Sequence, residues 1–273
     1  MAMSINTNVL SLTTQRNLGA NQSSLSTSMQ RLSSGLRVNT SKDDAAGMAI
    51  ASRMETQTRG MAVAQRNAMD AISLVQVAEG AIGRVSDMLQ RMRELSVQSA
   101  NATNATADRG NLDAEFQQLA AEVTRTIANT QFNGIAIIAT GAGTNNYQVG
   151  PNSVDQVQVT TQNLVTTTLT NVTNGAITTA AAASTAMSNI DEALTLVNTQ
   201  RALYGAVQNR FEAMISVLQV NAENTSAAKG RIMDADFAQE TANLSRSQIL
   251  QQAASAMVAQ ANAMPQQVLQ LLR

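Results

Sequence analysis

From Met61 to Met92 the apolar residues step by three and four without a slip: Met61, Ala64, Ala68, Ala71, Val75, Ala78, Ile82, Val85, Leu89 and Met92. That spacing keeps one stripe of a helix facing its neighbours over many turns. Few architectures accept a seam of this length. The pattern predicts a helix from about Ala45 to Ser99, which at 1.5 Å per residue is roughly 80 Å long. Gly60, Gly80 and Gly83 lie inside it. Each costs up to ~1 kcal/mol against Ala, and each also permits close approach of a neighbouring backbone. Large aromatics normally supply much of a globular core. Here they are 2% of the chain, with no Trp, so burial must come from Ala, Leu, Ile, Val and 14 Met. Many small contacts suit close-packed helices better than a thick globule.

The rest of the chain is arranged around that seam. "NATNATADRG" reads as a loop. A second helix follows, with Leu112, Phe116, Leu119, Val123 and Ile127 on one face, and "TQFNG" ends it, Gly134 serving as the stop or turn. From about Gly134 to Thr179 the composition shifts to Gly, Asn, Thr and Val. The alternation in "DQVQVTT" suggests short strands, with "VGPN" and "TNG" as turns. Helical period returns with Ile190, Leu194, Val197, Tyr204, Phe211, Ile215, Leu218 and Ala222, until "SAAKGRIMDADF" interrupts it. Near the start, Leu18, Leu25, Met29, Leu32 and Leu36 keep heptad-compatible spacing. "SGLRVNTSKDDAAG" breaks that pattern, and Ser41 with Asp44 resembles a helix-start capping pair.

The last segment, "SQILQQAASAMVAQANAMPQQVLQLLR", has no charged residue between Arg246 and Arg273. Leu250, Ala253, Met257, Ala261, Met264, Val268 and Leu271 step along one face of a helix. The plan is nested: uncharged amphipathic ends flank two linkers, the linkers flank heptad helices, and a β-rich patch sits between. The two ends can pair as a two-helix coil. Such a coil buries only a narrow seam, and its remaining surface is Gln, Ser, Asn and Ala. Charged flanks normally keep a helix soluble as a monomer. Uncharged flanks favour packing against further copies. The predicted fold class is therefore mainly α: an elongated antiparallel helical bundle or coiled coil with a small β-hairpin region and paired N- and C-terminal helices.

Composition excludes several function classes. With no Cys and no His, disulfides, thiolate catalysis, imidazole acid–base chemistry and the common zinc sites are absent. "GAGTNNYQVG" lacks the Lys and following helix of a phosphate loop. The carboxylates of "DDAAG" and "DAD" fit caps and solvated turns. No catalytic residue and no cofactor are expected. The net charge of -1 and the scarcity of aromatics argue against a nucleic-acid partner. The start, "MAMSINTNVLSL", lacks the basic and apolar regions of a signal peptide. No segment is apolar enough to insert into a membrane.

Eight collinear stretches carry a resemblance: "INTNVLSL", "LSSGLRVNTSKDDAAGMAIA", "RMRELSVQSANATN", "TQFNG", "YQVG", "AVQNRFE", "RIMDADFAQE" and the closing "SQILQQAASAMVAQANAMPQQVLQLLR". The sequence resembles the bacterial flagellins, the subunits of the flagellar filament. The resemblance implies an inner core domain from residues 1–40 and 235–273, linkers at 41–47 and 229–234, a rod-like helical domain from 48–130 and 185–228, and a short β-rich part at 131–184. No room remains for the large outer domains of many flagellins, so the implied filament is thin and comparatively smooth.

The resemblance also implies secretion by the flagellar type III route without a cleaved signal, and a place in the extracellular filament of the bacterial flagellum. The implied partners are further copies of the chain, an export chaperone, the filament cap and the hook-junction proteins. A flagellin relative, the hook–filament junction protein, shares the terminal plan and is the alternative. Self-assembly falls to the terminal stripes, Leu18, Leu25, Met29 and Leu32 with the seven positions from Leu250 to Leu271. Many flagellins are bound by vertebrate Toll-like receptor 5. The matching positions are Gln90, Arg91 and Leu95 in "LQRMRELSVQ" and Glu115 in "DAEFQQL"; Leu95, beside the heptad stripe, also reads as partly core, and Arg91 with Glu115 also reads as a solvated pair.

Overall fold

The computed structural model describes residues 7–139 and 142–271, with backbone alone for 265–271. Helices dominate: α1 (Val9–Ser34), α2 (Ala45–Ala100), α3 (Thr106–Asn129), α4 (Thr167–Thr173), α5 (Ala180–Met233) and α6 (Phe237–Leu271). Two antiparallel hairpins join them, β1 (Gln131–Phe132) with β2 (Ile135–Ala136) and β3 (Thr144–Gln148) with β4 (Gln156–Thr160). The chain divides into two compact units, one from Met1–Thr56 with Asn224–Arg273, the other Gln57–Glu223.

In the second unit the heptad seam of α2 is the spine of the core. All ten of its residues, Met61 to Met92, are buried, eight of them from Ala68 onward among one continuous cluster. α3 adds Phe116, Val123 and Ile127, and α5 adds Ile190, Val197, Tyr204 and Phe211. α5 runs antiparallel to α2: Gln208 donates to Glu79 at 3.0 Å, and Arg93 to Asp191 at 2.7 Å. Small residues such as Ala68, Ala71 and Ala78 let neighbours come close without leaving voids. The β3–β4 hairpin buries one face only. Val157 and Val159 point into the core while Gln156, Gln158 and Thr160 stay outside, as a period of two requires. Gly60 has a specific reason to be glycine: a Cβ there would sit 2.9 Å from the Cβ of Pro151. Gly80 and Gly83 have no such neighbour, so close approach does not explain them.

Several element boundaries differ from the sequence reading. "NATNATADRG" is not loop throughout, since α3 begins at Thr106. The Asp108 carboxylate accepts from the Ala105 N–H at 3.1 Å and so holds the first turn. "TQFNG" does not merely stop α3. Asn133 (φ 49°) and Gly134 (φ 77°) are both left-handed, the requirement of a tight two-residue hairpin turn between β1 and β2. The short helix α4 was not foreseen; it buries Leu169 and Val172.

In the first unit α1 and α6 lie antiparallel. At one end Asn8 donates to the Ala261 carbonyl (2.7 Å) and Ser11 to Asn262 Oδ1 (2.7 Å); at the other Arg31 stands 3.9 Å from Glu240. Gly35, at φ 72°, ends α1 and returns its N–H to Arg31 O at 2.8 Å. The two linkers then pair. Leu36 bridges Asp234, Arg37 N–H donates to Met233 O, and Ala235 N–H donates to Gly35 O. The expected interruption across "SAAKGRIMDADF" is corrected, because α5 continues helical to Met233, with Lys229 paired to Glu55. The cap of α2 is Asp44 itself, accepting from Gly47 N–H at 2.8 Å. Ser41 instead donates to the sulfur of Met48. Asp43 accepts from Asn39 N–H, Thr40 N–H and Thr40 Oγ1, and these bonds, Thr40 first, hold its carboxyl below its ordinary pKa.

Candidate self-association surface

The seam between α1 and α6 is unusual in what it buries. On α6 the covered positions step by four and three through Glu240, Leu244, Ser247, Gln251, Ala254, Val258 and Ala261. On α1 they are Ser11, Thr14, Leu18, Asn21, Leu25, Ser28 and Leu32. The fully buried members are Ser11, Ser28, Glu240, Ser247 and Ala261, all small or polar. Leu18, Leu25, Leu32, Leu244 and Val258 lie half-buried among them, but many other large apolar side chains of the same pair point away from the seam. Leu12 is 58% exposed, Met29 57%, Ile249 66% and Met257 55%, and Leu10 and Leu250 are exposed as well. A helix pair that is finished as a monomer places these the other way round.

The sequence-derived stripe is accordingly split. Leu250, Ala253 and Met257 lie outside the seam, Ala261 lies inside it, and Met264 is half-covered. The side chains of Val268 and Leu271 lie outside the described residues. Leu18, Leu25 and Leu32 are half-buried along the seam, whereas Met29 faces outward. Apart from Ala261, the seam positions of α6 escaped the sequence reading because Glu240, Ser247 and Gln251 interrupt the apolar Leu244, Ala254 and Val258. Their signal was positional: Glu240, Ser247, Ala254 and Ala261 recur every seven residues.

A second surface is polar and belongs to the other unit. Arg91, on α2, donates from Nε to Glu115 Oε1 of α3 at 2.9 Å and from Nη1 to Glu94 Oε2 at 2.9 Å. Both partners raise its pKa, the hydrogen bond to Glu94 first and that to Glu115 next. Gln90, Arg91, Glu94 and Glu115 are all exposed. Leu95 does not join them. At 1% exposure it lies in the core with Phe116 rather than beside the stripe, because four residues turn the helix by 40° and carry it to the buried side. The neighbouring pair Arg93–Asp191, which lowers the Asp191 pKa through the hydrogen bond from Arg93, was not anticipated from sequence. Among the described residues no helix is long and apolar enough to cross a membrane.

Comparison with known proteins identifies the family. The family model for the bacterial flagellin N-terminal helical region matches residues 5–142, and that for the C-terminal helical region matches residues 187–272. The chain is 45% identical to the flagellin of Halalkalibacterium halodurans over 280 residues, covering 99% of this chain and all of that one. It is 38% identical to the flagellin of Bacillus subtilis over 304 residues, again covering 99% of this chain and 100% of the relative. Among solved structures, the crystal structure of Bacillus cereus flagellin superposes with a TM-score of 0.51 at 31% identity, covering 60% of this chain and 94% of that one.

Proposed function

This chain belongs to the bacterial flagellin family, and from that premise we propose that it builds the flagellar filament through the outward faces of its paired terminal helices. It is a structural subunit of short form that self-assembles into a homopolymer in the bacterial flagellum. The observation that supports the division of labour is the α1–α6 pair, whose most buried positions are small or polar and which leaves Leu12, Met29, Ile249 and Met257 outside. Covering that apolar surface gains about 25 cal/mol per Å² removed from water. Contacts that do not close on themselves give an open helical polymer. The core of residues 57–223 is complete without the pair, since its seam is already buried.

Removal of residues 235–273 should therefore abolish filaments seen by negative stain while leaving most helical circular dichroism. Loss of that signal would count against the proposed split into inner helices and rod. Filaments formed by the purified chain alone would separate this reading from a hook–filament junction role. Export of the unfolded chain by the type III route, with its chaperone, cap and junction partners, belongs to the same proposal.

A further part of it is recognition by Toll-like receptor 5 through Gln90, Arg91 and Glu115, which lie exposed on α2 and α3. Leu95 enters only as the core residue beneath them. An Arg at an interface centre is a frequent hot spot. Arg91→Ala should weaken receptor binding at least about tenfold with an unchanged melting temperature. Unchanged affinity would remove Arg91 from the site.

A further inference from the structure

The chain has no Cys and no Trp, so its 14 Met thioethers are its most readily oxidised side chains. Their exposure divides them sharply. Met92 is fully buried and Met61 is 8% exposed, whereas Met29 (57%), Met257 (55%) and Met69 (49%) stand open. Two of those three, Met29 on α1 and Met257 on α6, are on the outward apolar face of the terminal pair. We infer that Met29 and Met257 are oxidation sites that decide whether a free chain can join the polymer. The inference rests on the assembly reading above.

The chemistry needs only a peroxide. The thioether sulfur attacks one peroxide oxygen, the O–O bond breaks, an S–O bond forms, and the second oxygen leaves as water. Sulfur is oxidised by two electrons and the peroxide is reduced by two. The product is a polar, strongly accepting sulfoxide where an adaptable apolar side chain stood. Left exposed it costs nothing. Buried against the apolar side chains of a neighbour, it loses its water without gaining a donor. Oxidation thus disables the free chain. A chain already assembled has its Met257 covered and is spared.

The test uses purified full-length monomer treated with hydrogen peroxide, freed of peroxide and added to wild-type filament seeds. Peptide mass mapping should show a gain of about 16 Da at Met29, Met69 and Met257 before any at Met92. The concentration needed for growth should rise at least about tenfold, and treatment with methionine sulfoxide reductases A and B should reverse it. The double variant M29L/M257L keeps volume and apolarity and keeps Met69. After the same peroxide treatment it should grow as the untreated double variant does. If that double variant fails to grow before treatment, M257L alone takes its place, with partial resistance expected. Preformed filaments should leave Met257 unmodified at the same dose.

Oxidised wild type growing normally would overturn the inference, as would equal loss of growth in the Leu variant. Failure of untreated wild type to polymerise on seeds would overturn the assembly reading beneath it, and the inference with it.

Discussion

Gln200 is a polar residue at a core position. It continues the α5 stripe between Val197 and Tyr204, is 2% exposed, and its Oε1 has no hydrogen-bond partner among the described residues. A buried acceptor without a donor costs about 1–3 kcal/mol. Gln200→Leu should therefore raise the monomer melting temperature, by an amount worth roughly 1–2 kcal/mol; a lower melting temperature would show that the amide is satisfied in solution. Asp43 gives a pH dependence of known sign. Its folded pKa is depressed by the Thr40 and Asn39 bonds, so its contribution is present above the ordinary carboxylate range and is lost as pH falls through the folded value. Carboxyl titration by NMR should find Asp43 below its ordinary value and the 39–43 turn loosening only below that point. Single residues were the hardest scale to read from sequence. Arg91 and Glu115, both named from the resemblance, meet at 2.9 Å where α3 returns along α2. Leu95 stood between the receptor face and the core, because spacing alone does not say which side of the stripe a third helix covers; it is core.

Among the elements, helix periods survived wherever large apolar residues marked them, as along α2 and the middle of α5. They failed where packing is done by small or polar groups. The α6 seam mixes Leu244 and Val258 with Ser247, Ala254 and Ala261, so the expected stripe follows the outward face at Leu250, Ala253 and Met257 and meets the seam at Ala261. The end of α5 was read as a linker because Lys229, Gly230 and Arg231 look like a break, yet the Lys229–Glu55 pair lies within a continuous helix. At the β1–β2 turn, Gly134→Ala should destabilise by about 1–2 kcal/mol, the cost of left-handed backbone with a Cβ. No neighbour lies within 4 Å to add a clash, so the loss should appear in chemical denaturation without disturbing the α3 core. On α6, Met257→Lys would force a charge into the face that neighbouring copies must cover. It should block filament growth yet leave monomer solubility and melting unchanged, since Met257 is 55% exposed in the single chain. Normal filaments from this variant would show that the face stays in water.

For the molecule as a whole, assembly is what completes the terminal helices. A helix rich in Gln, Ser, Asn and Ala is marginal by itself in water. The α1–α6 seam adds few large buried groups to hold it. On the proposed assembly, their ordering cost is offset only when further copies cover Leu12, Ile249 and Met257, which links folding of the ends to growth of the polymer. The residues 61–92 need no such help, because their seam is buried within one chain. Amide hydrogen exchange, read on the monomer and on the filament of the same preparation, separates these two kinds of helix. The prediction is fast exchange across residues 7–34 and 240–264 in the monomer, strong protection of the same segments in the filament, and protection of residues 61–92 in both. Equal protection of the terminal segments in monomer and filament would contradict it.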